Sequence, residues 1–200
     1  MKPIYLEMNY FGPHENSVVD FRLLDESPIF LISGDTGAGK STIFDAMTYA
    51  LFGTTTGDRD AKEMRSQFAT ADDRTSVTFY FKQGNLLYRI ERSPEQKLSK
   101  KRGSGSTLQK STAKLAIVDR VKGIEKNNIA INPKNVGEEI TRLLHLNAEQ
   151  FKKIILLPQN DFSRFLKSST PDKEAILKRI FGTYIFTSFS NEIKAKNSEM

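Results

Sequence analysis

The stretch Gly34-Asp35-Thr36-Gly37-Ala38-Gly39-Lys40-Ser41 constrains this chain more than any other. It fits G-x-x-x-x-G-K-[ST], a pattern whose parts each answer a chemical need. Glycines let backbone N–H groups curl around phosphate oxygens with no Cβ in the way. A helix starting at the loop's end points its dipole and free N–H groups at the anion. Lys40 supplies a point charge for β- and γ-phosphates, the Ser41 hydroxyl reaches Mg²⁺, and Thr42 is placed to bond the α-phosphate. The pattern therefore predicts a site for Mg²⁺ and a nucleoside triphosphate.

The flanking sequence agrees. Residues 28–33 (PIFLIS) form a short apolar run between Pro28 and Gly34, which predicts a buried strand. Residues 40–52 place Ile43, Phe44, Met47, Ala50 and Leu51 at helical spacing. Upstream, residues 4–8 and 17–23 are strand-like around the turn-rich FGPHEN. Downstream, residues 75–81 and 86–92 flank KQGN as a hairpin, and residues 113–119 predict another strand. Strands at hairpin spacing after the glycine loop predict an antiparallel sheet beside a nucleotide-binding core. From Asn135 the pattern is helical, with Asn147 as a cap, a break at Pro158 and Asn160, and a restart near Ser169 to Pro171.

Several classes of protein are excluded or disfavoured. With no cysteine there is no disulfide framework, and His14 and His145 are too far apart in sequence to suggest zinc. No apolar run approaches the roughly 20 residues of a membrane span. The N-terminal apolar run is interrupted by Glu7 and Asn9, unlike a signal peptide. These features predict a soluble, cytoplasmic protein with no membrane partner. Net charge is +6 over the chain, and residues 94–114 alone hold six basic side chains against Glu95, a net of +5. That Gly/Ser-rich segment reads either as a solvated flexible loop or, through Lys97, Lys100, Lys101 and Arg102, as a salt-dependent contact for a phosphate backbone.

A complete triphosphate hydrolase also needs an acid at a strand end to hold Mg²⁺. Only Asp119, closing the run Leu115 to Val118, offers one, and it reads equally as a surface residue ending a strand. On the residues alone, a self-sufficient kinase or triphosphatase and an ATP-binding clamp that does not hydrolyse both stay open.

Four stretches taken together resemble the N-terminal ATPase segment of the SbcC family, the ATPase subunits of bacterial SbcCD nucleases among the SMC-like, ABC-type ATPases. They are MKPIYLEMNYFGPHENSVVDF, GDTGAGKSTIFDAMTYALFG, AKEMRSQFA and IILLPQNDFSRFLKSSTPDKEAILKRIFGTYIF, in the family's order from Met1 to Phe186. The resemblance implies an α/β P-loop ATPase of ABC type. Residues 1–186 would form the N-terminal lobe of a head, and 187–200 would begin a coiled-coil helix cut short. It implies that the second acid and the signature motif lie in a C-terminal half of the same head. Two such heads would close on ATP, gating the partner nuclease SbcD on double-stranded DNA ends and hairpins.

The resemblance also assigns residues. Gln159 matches the glutamine expected to touch Mg²⁺ and sense the γ-phosphate, whereas its sequence context alone indicates a helix-ending turn. Arg65 and Ser66 match a stretch near the nucleotide. Phe11 falls where relatives place an adenine contact; it could stack on the base or sit in the core. An isolated lobe would bind ATP without efficient hydrolysis, and its sheet would keep an exposed edge.

Overall fold

A computed structural model describes residues 1–25, 29–57, 60–100 and 104–155. It divides into two compact units, Met1–Ala148 and Glu149–Met200. The first carries β1 (Lys2–Phe11), β2 (His14–Asp20), α1 (Lys40–Phe52), β3 (Ser76–Gln83), β4 (Leu86–Ser93), β5 (Gln96–Ser99), β6 (Ser106–Gln109), β7 (Thr112–Val118), β8 (Glu125–Ile131) and α2 (Pro133–Leu144). The described part of the second unit lies in one helix, α3 (Ala148–Ile155), which begins directly after Asn147.

Six strands form one antiparallel sheet in the order β2-β1-β3-β4-β7-β8. Period-two alternation sorts the side chains, and register carries the sorting across the sheet. Leu6 faces Phe79, Phe79 faces Ile90, and Ile90 faces Leu115, giving a buried row across four strands. Each such side chain contributes about 1.5–3 kcal/mol on burial. Next to it, Phe81 stacks on Phe79 and on Tyr88, with ring centroids 5.7 and 5.3 Å apart. Helix α1 lies against β3 and β4, α2 lies against β7 and β8, and the two helices touch.

The opposite face is polar except at one end. There Tyr5 meets Tyr80 edge-on at 5.9 Å, in a small cluster with Ile4 and Val118. Ion pairs cover the rest: Lys122 to Glu7 at 2.7 Å, Arg89 to Glu91 at 3.1 Å, and Lys114 and Arg89 to Glu125.

The structure corrects four expectations. The strand expected over 17–23 stops at Asp20, whose carboxylate accepts from the Arg22 N–H and turns Phe21–Leu24 into a single 3₁₀ turn. Residues 29–33 pair with no strand, and Ile29 and Leu31 stand 86% and 88% exposed. A parallel strand is stable only with neighbours, and the sheet formed by the described residues supplies none at this place. The flexible segment 94–114 instead holds an antiparallel ribbon, β5 with β6, matching Gln96 to Gln109 and Ser99 to Ser106. Strand β8 was not expected, because Asn127 and Asn128 interrupt its apolar pattern; it forms the sheet edge, where polar residues meet solvent. Among the described residues no helix is long and apolar enough to cross a membrane.

Candidate functional site: a phosphate cradle clamped to a sheet

The glycine loop opens directly into α1. Gly37 and Gly39 have φ of 89° and 85°, a left-handed region that other residues enter at a cost. The loop closes on itself through Ala38 N–H donating to the Asp35 carbonyl at 3.2 Å, and Thr42 N–H donates to Gly39 at 3.0 Å. The N–H groups of the helix's first turn have no intrahelical acceptor, which makes them donors for an anion. Lys40 curls back over the loop, its Nζ donating to the carbonyls of Gly34 at 2.7 Å and Asp35 at 2.6 Å. Ser41 is exposed in the same turn, while Thr42 is buried. Backbone donors, one ammonium and one hydroxyl suit a triphosphate with Mg²⁺, and the residues present fit that group. Among the described residues no group of three His, Cys, Asp or Glu could hold a metal ion alone, so Ser41 would share Mg²⁺ with the phosphates and with ligands from elsewhere.

What holds this cradle in place is less visible in the sequence. At the N-terminal end of α1, His14 reaches from the start of β2, with Nε2 3.2 Å from the Gly39 carbonyl. A Cβ on Gly39 would come within 2.5 Å of that ring and 2.7 Å of Pro13. Gly12, at φ 59°, packs on Thr42: a Cβ there would lie 2.7 Å from the Thr42 methyl. At the C-terminal end, the buried Arg92 of β4 donates Nε to Ala50 at 2.7 Å and Nη2 to Leu51 at 3.1 Å. A cation at helix-terminal carbonyls complements the dipole. Burial still lowers the guanidinium pKa to about 10, and burial raises that of the neighbouring Tyr49. Beside it Gly53 ends the helix at φ 77°, donating to Tyr49 at 2.8 Å. So α1 is tied to the sheet at both ends.

The other sequence candidates fall in distinct places. Phe11 is fully buried and stacks on Tyr49 of α1 at 5.5 Å, so of its two readings the structure has the core one. Arg65 bridges to Phe11 through the backbone and spreads its guanidinium over protein acceptors. These are the Thr70 and Asp73 carbonyls at 2.7 and 2.9 Å, Thr75 Oγ1 at 3.2 Å and Gln96 Oε1 at 2.6 Å. Ser66 is buried, and its N–H donates to Tyr10 at 2.8 Å. Both residues therefore brace the turn at Gly12, whose N–H donates to Met64 at 2.7 Å.

Asp119 lies at the far end of the sheet from the loop. Val118 faces Leu87, Leu87 faces Lys82 and Lys82 faces Lys2, whereas the cradle adjoins Phe11. That separation is about 30 Å along the strand, and it leaves Asp119 as a turn residue whose N–H donates to Ile124 at 3.3 Å. Lys97 and Lys100 are exposed on the β5–β6 ribbon. Lys101 and Arg102, Gln159, and the expected helical start at 187–200 lie outside the described residues.

The sequence reading missed His14, Gly12 and Arg92 as supports of the site. Gly12-Pro13-His14 is a visible turn signal, but nothing local says that its histidine meets a carbonyl 25 residues away.

These features define an α/β P-loop nucleotide-binding fold with a mainly antiparallel sheet. Residues 5–199 match the family model described as AAA domain, and the chain belongs to that family. Over its full length it is similar, at 39% identity, to a Staphylococcus aureus (strain MRSA252) protein named as the SbcC subunit of nuclease SbcCD. A protein of the same name from Vibrio cholerae is 36% identical over 94% of the chain. The chain spans 20% and 18% of those relatives' lengths, about a fifth of each.

Proposed function

We propose that this chain is the ATP-binding N-terminal lobe of an ABC-type ATPase head in a nuclease complex of the SbcCD kind. The observation that carries this is the cradle Gly34–Thr42, opening into a helix tied to a sheet at both ends. On binding, Lys40 would leave the Gly34 and Asp35 carbonyls for the β- and γ-phosphates. Loop N–H groups would hold the β-phosphate, Ser41 would ligate Mg²⁺, and Thr42 would steady the α-phosphate. Bound Mg²⁺ would supply charge neutralisation between β- and γ-oxygens. Gln159 is proposed to touch Mg²⁺ and sense the γ-phosphate, while Arg65 and Ser66 act on the nucleotide region.

A water-positioning acid and signature motif are proposed to come from outside these residues, from a C-terminal half of the same head and from a second head. The exposed apolar residues Ile29 and Leu31, directly before the cradle, support a missing neighbouring strand. ATP would close two heads, and their closing would gate a partner nuclease, SbcD, on double-stranded DNA ends and hairpins. The names of the similar proteins support that assembly. Exposed Lys97 and Lys100 on the ribbon, with Lys101 and Arg102, are proposed to contact phosphates without reading sequence.

The test is paired: Mg·ATP binding and ATP turnover by this chain, with Lys40→Ala beside it. Binding lost in the variant, with no turnover at any protein concentration, is the expected result. Lys40-dependent turnover first order in protein would place a complete site within these residues and overturn the reading.

A further inference from the structure

We infer that His14 is a positioning residue for nucleotide binding, holding the helix end of the phosphate cradle to the sheet by a hydrogen bond to Gly39. The inference rests on the proposed ATP-binding role of the loop. The imidazole is half-buried between two partners: Nε2 lies 3.2 Å from the Gly39 carbonyl and Nδ1 2.9 Å from Ser17 Oγ. A carbonyl only accepts, so Nε2 carries the proton. In the neutral ring Nδ1 then accepts, and the Ser17 hydroxyl has a proton to give. Ser17 thus selects the tautomer that Gly39 needs.

Both His14 and Ser17 sit in β2, held in register with β1 through Phe11–His14 and Met8–Ser17 pairs. The bond therefore ties Gly39 to the sheet. Among the described residues it is the hydrogen bond that reaches 34–39 from outside the loop and its helix.

The benefit is preorganisation. A loop with three glycines in six residues has many conformations to lose when phosphate binds. Its leading end at 29–33 pairs with no strand, so the Gly39 end must be fixed by something else. His14 orders that end beforehand, reducing the entropy lost on binding. The same contact explains why position 39 tolerates only glycine sterically, with the ring 2.5 Å from any added Cβ. Donation to a carbonyl that already accepts from Thr42 also polarises the first turn of α1 toward the anion.

The experiment compares His14→Phe, which keeps a flat ring but no donor, with His14→Gln, whose amide N–H can reach Gly39. Affinity for a fluorescent ATP analogue with Mg²⁺ is measured in the full-length protein, with Lys40→Ala as control, alongside the thermal midpoint without nucleotide. His14→Phe is expected to weaken binding about five- to tenfold, the worth of one hydrogen bond, with the midpoint moved less than about 2 °C. His14→Gln is expected to stay within about twofold, and ¹⁵N spectra should show His14 protonated on Nε2. Binding by His14→Phe within twofold of the wild type overturns the inference. So does an equal loss in both variants with a lowered midpoint, which would make the ring packing alone. A wild type that binds no better than Lys40→Ala overturns the ATP-binding reading, and this inference with it.

Discussion

Two apolar segments of this chain meet opposite fates. Leu6, Phe79, Ile90 and Leu115 line up across four strands and are fully buried. Ile29 and Leu31, no less apolar, stand 86% and 88% exposed just before the phosphate cradle. The first segment finds all its partners among residues 2–118 of the chain. The second finds none among the described residues. Hydrophobic burial drives both, so the difference lies in who supplies the neighbours. The antiparallel sheet is a self-contained platform, and the strand that should aim the cradle awaits one. The helix after the cradle therefore depends on the platform, through His14 at one end and Arg92 at the other.

The largest effect should come from the platform. Phe79→Ala removes a fully buried ring that packs on Phe81 and should cost about 3–5 kcal/mol in urea unfolding. Next is the clamp. Arg92→Met leaves the Ala50 and Leu51 carbonyls without their buried donor and should cost about 1.5–3 kcal/mol, with faster amide exchange in the last turn of α1. A loss no larger than that of an exposed substitution would show that the helix is held otherwise.

Smaller is the polar face. Lys114, with Arg89, holds the Glu125 carboxyl below its ordinary range. The sign follows: that stabilisation is complete above the ordinary carboxylate range and fades as pH falls through the lowered value. Glu125→Gln should flatten the acid limb of the stability curve by at most about 1 kcal/mol, since the pair is open to solvent. Smallest of all is Leu31→Ser, expected to change the stability of this chain by less than about 0.5 kcal/mol. A core-sized loss there would erase the comparison.

The parts legible in sequence were those coded locally. The glycine loop, α1 and the β3–β4 hairpin around Gly84 each carry their own signal within a few residues, and all three form. Phe11 could not be settled locally, because its choice between base and core depends on Tyr49. The ribbon was hidden because Gly and Ser dominate 94–114, while its root is fixed by a distant partner. Buried Gln96 accepts from the Thr75 N–H at 2.8 Å and from Arg65 at 2.6 Å. Likewise His14 and Arg92 act across 25 and 42 residues of chain. The run 28–33 shows the converse: its local signal is strong, and a strand still needs an edge to join.

The most direct test is hydrogen–deuterium exchange at residues 29–33, in this chain alone and after adding the C-terminal half of the proposed head. The account predicts rapid exchange alone and clear protection once that half is present, while β3 and β4 stay protected throughout. Protection already complete in the chain alone, or none in either sample, would contradict it.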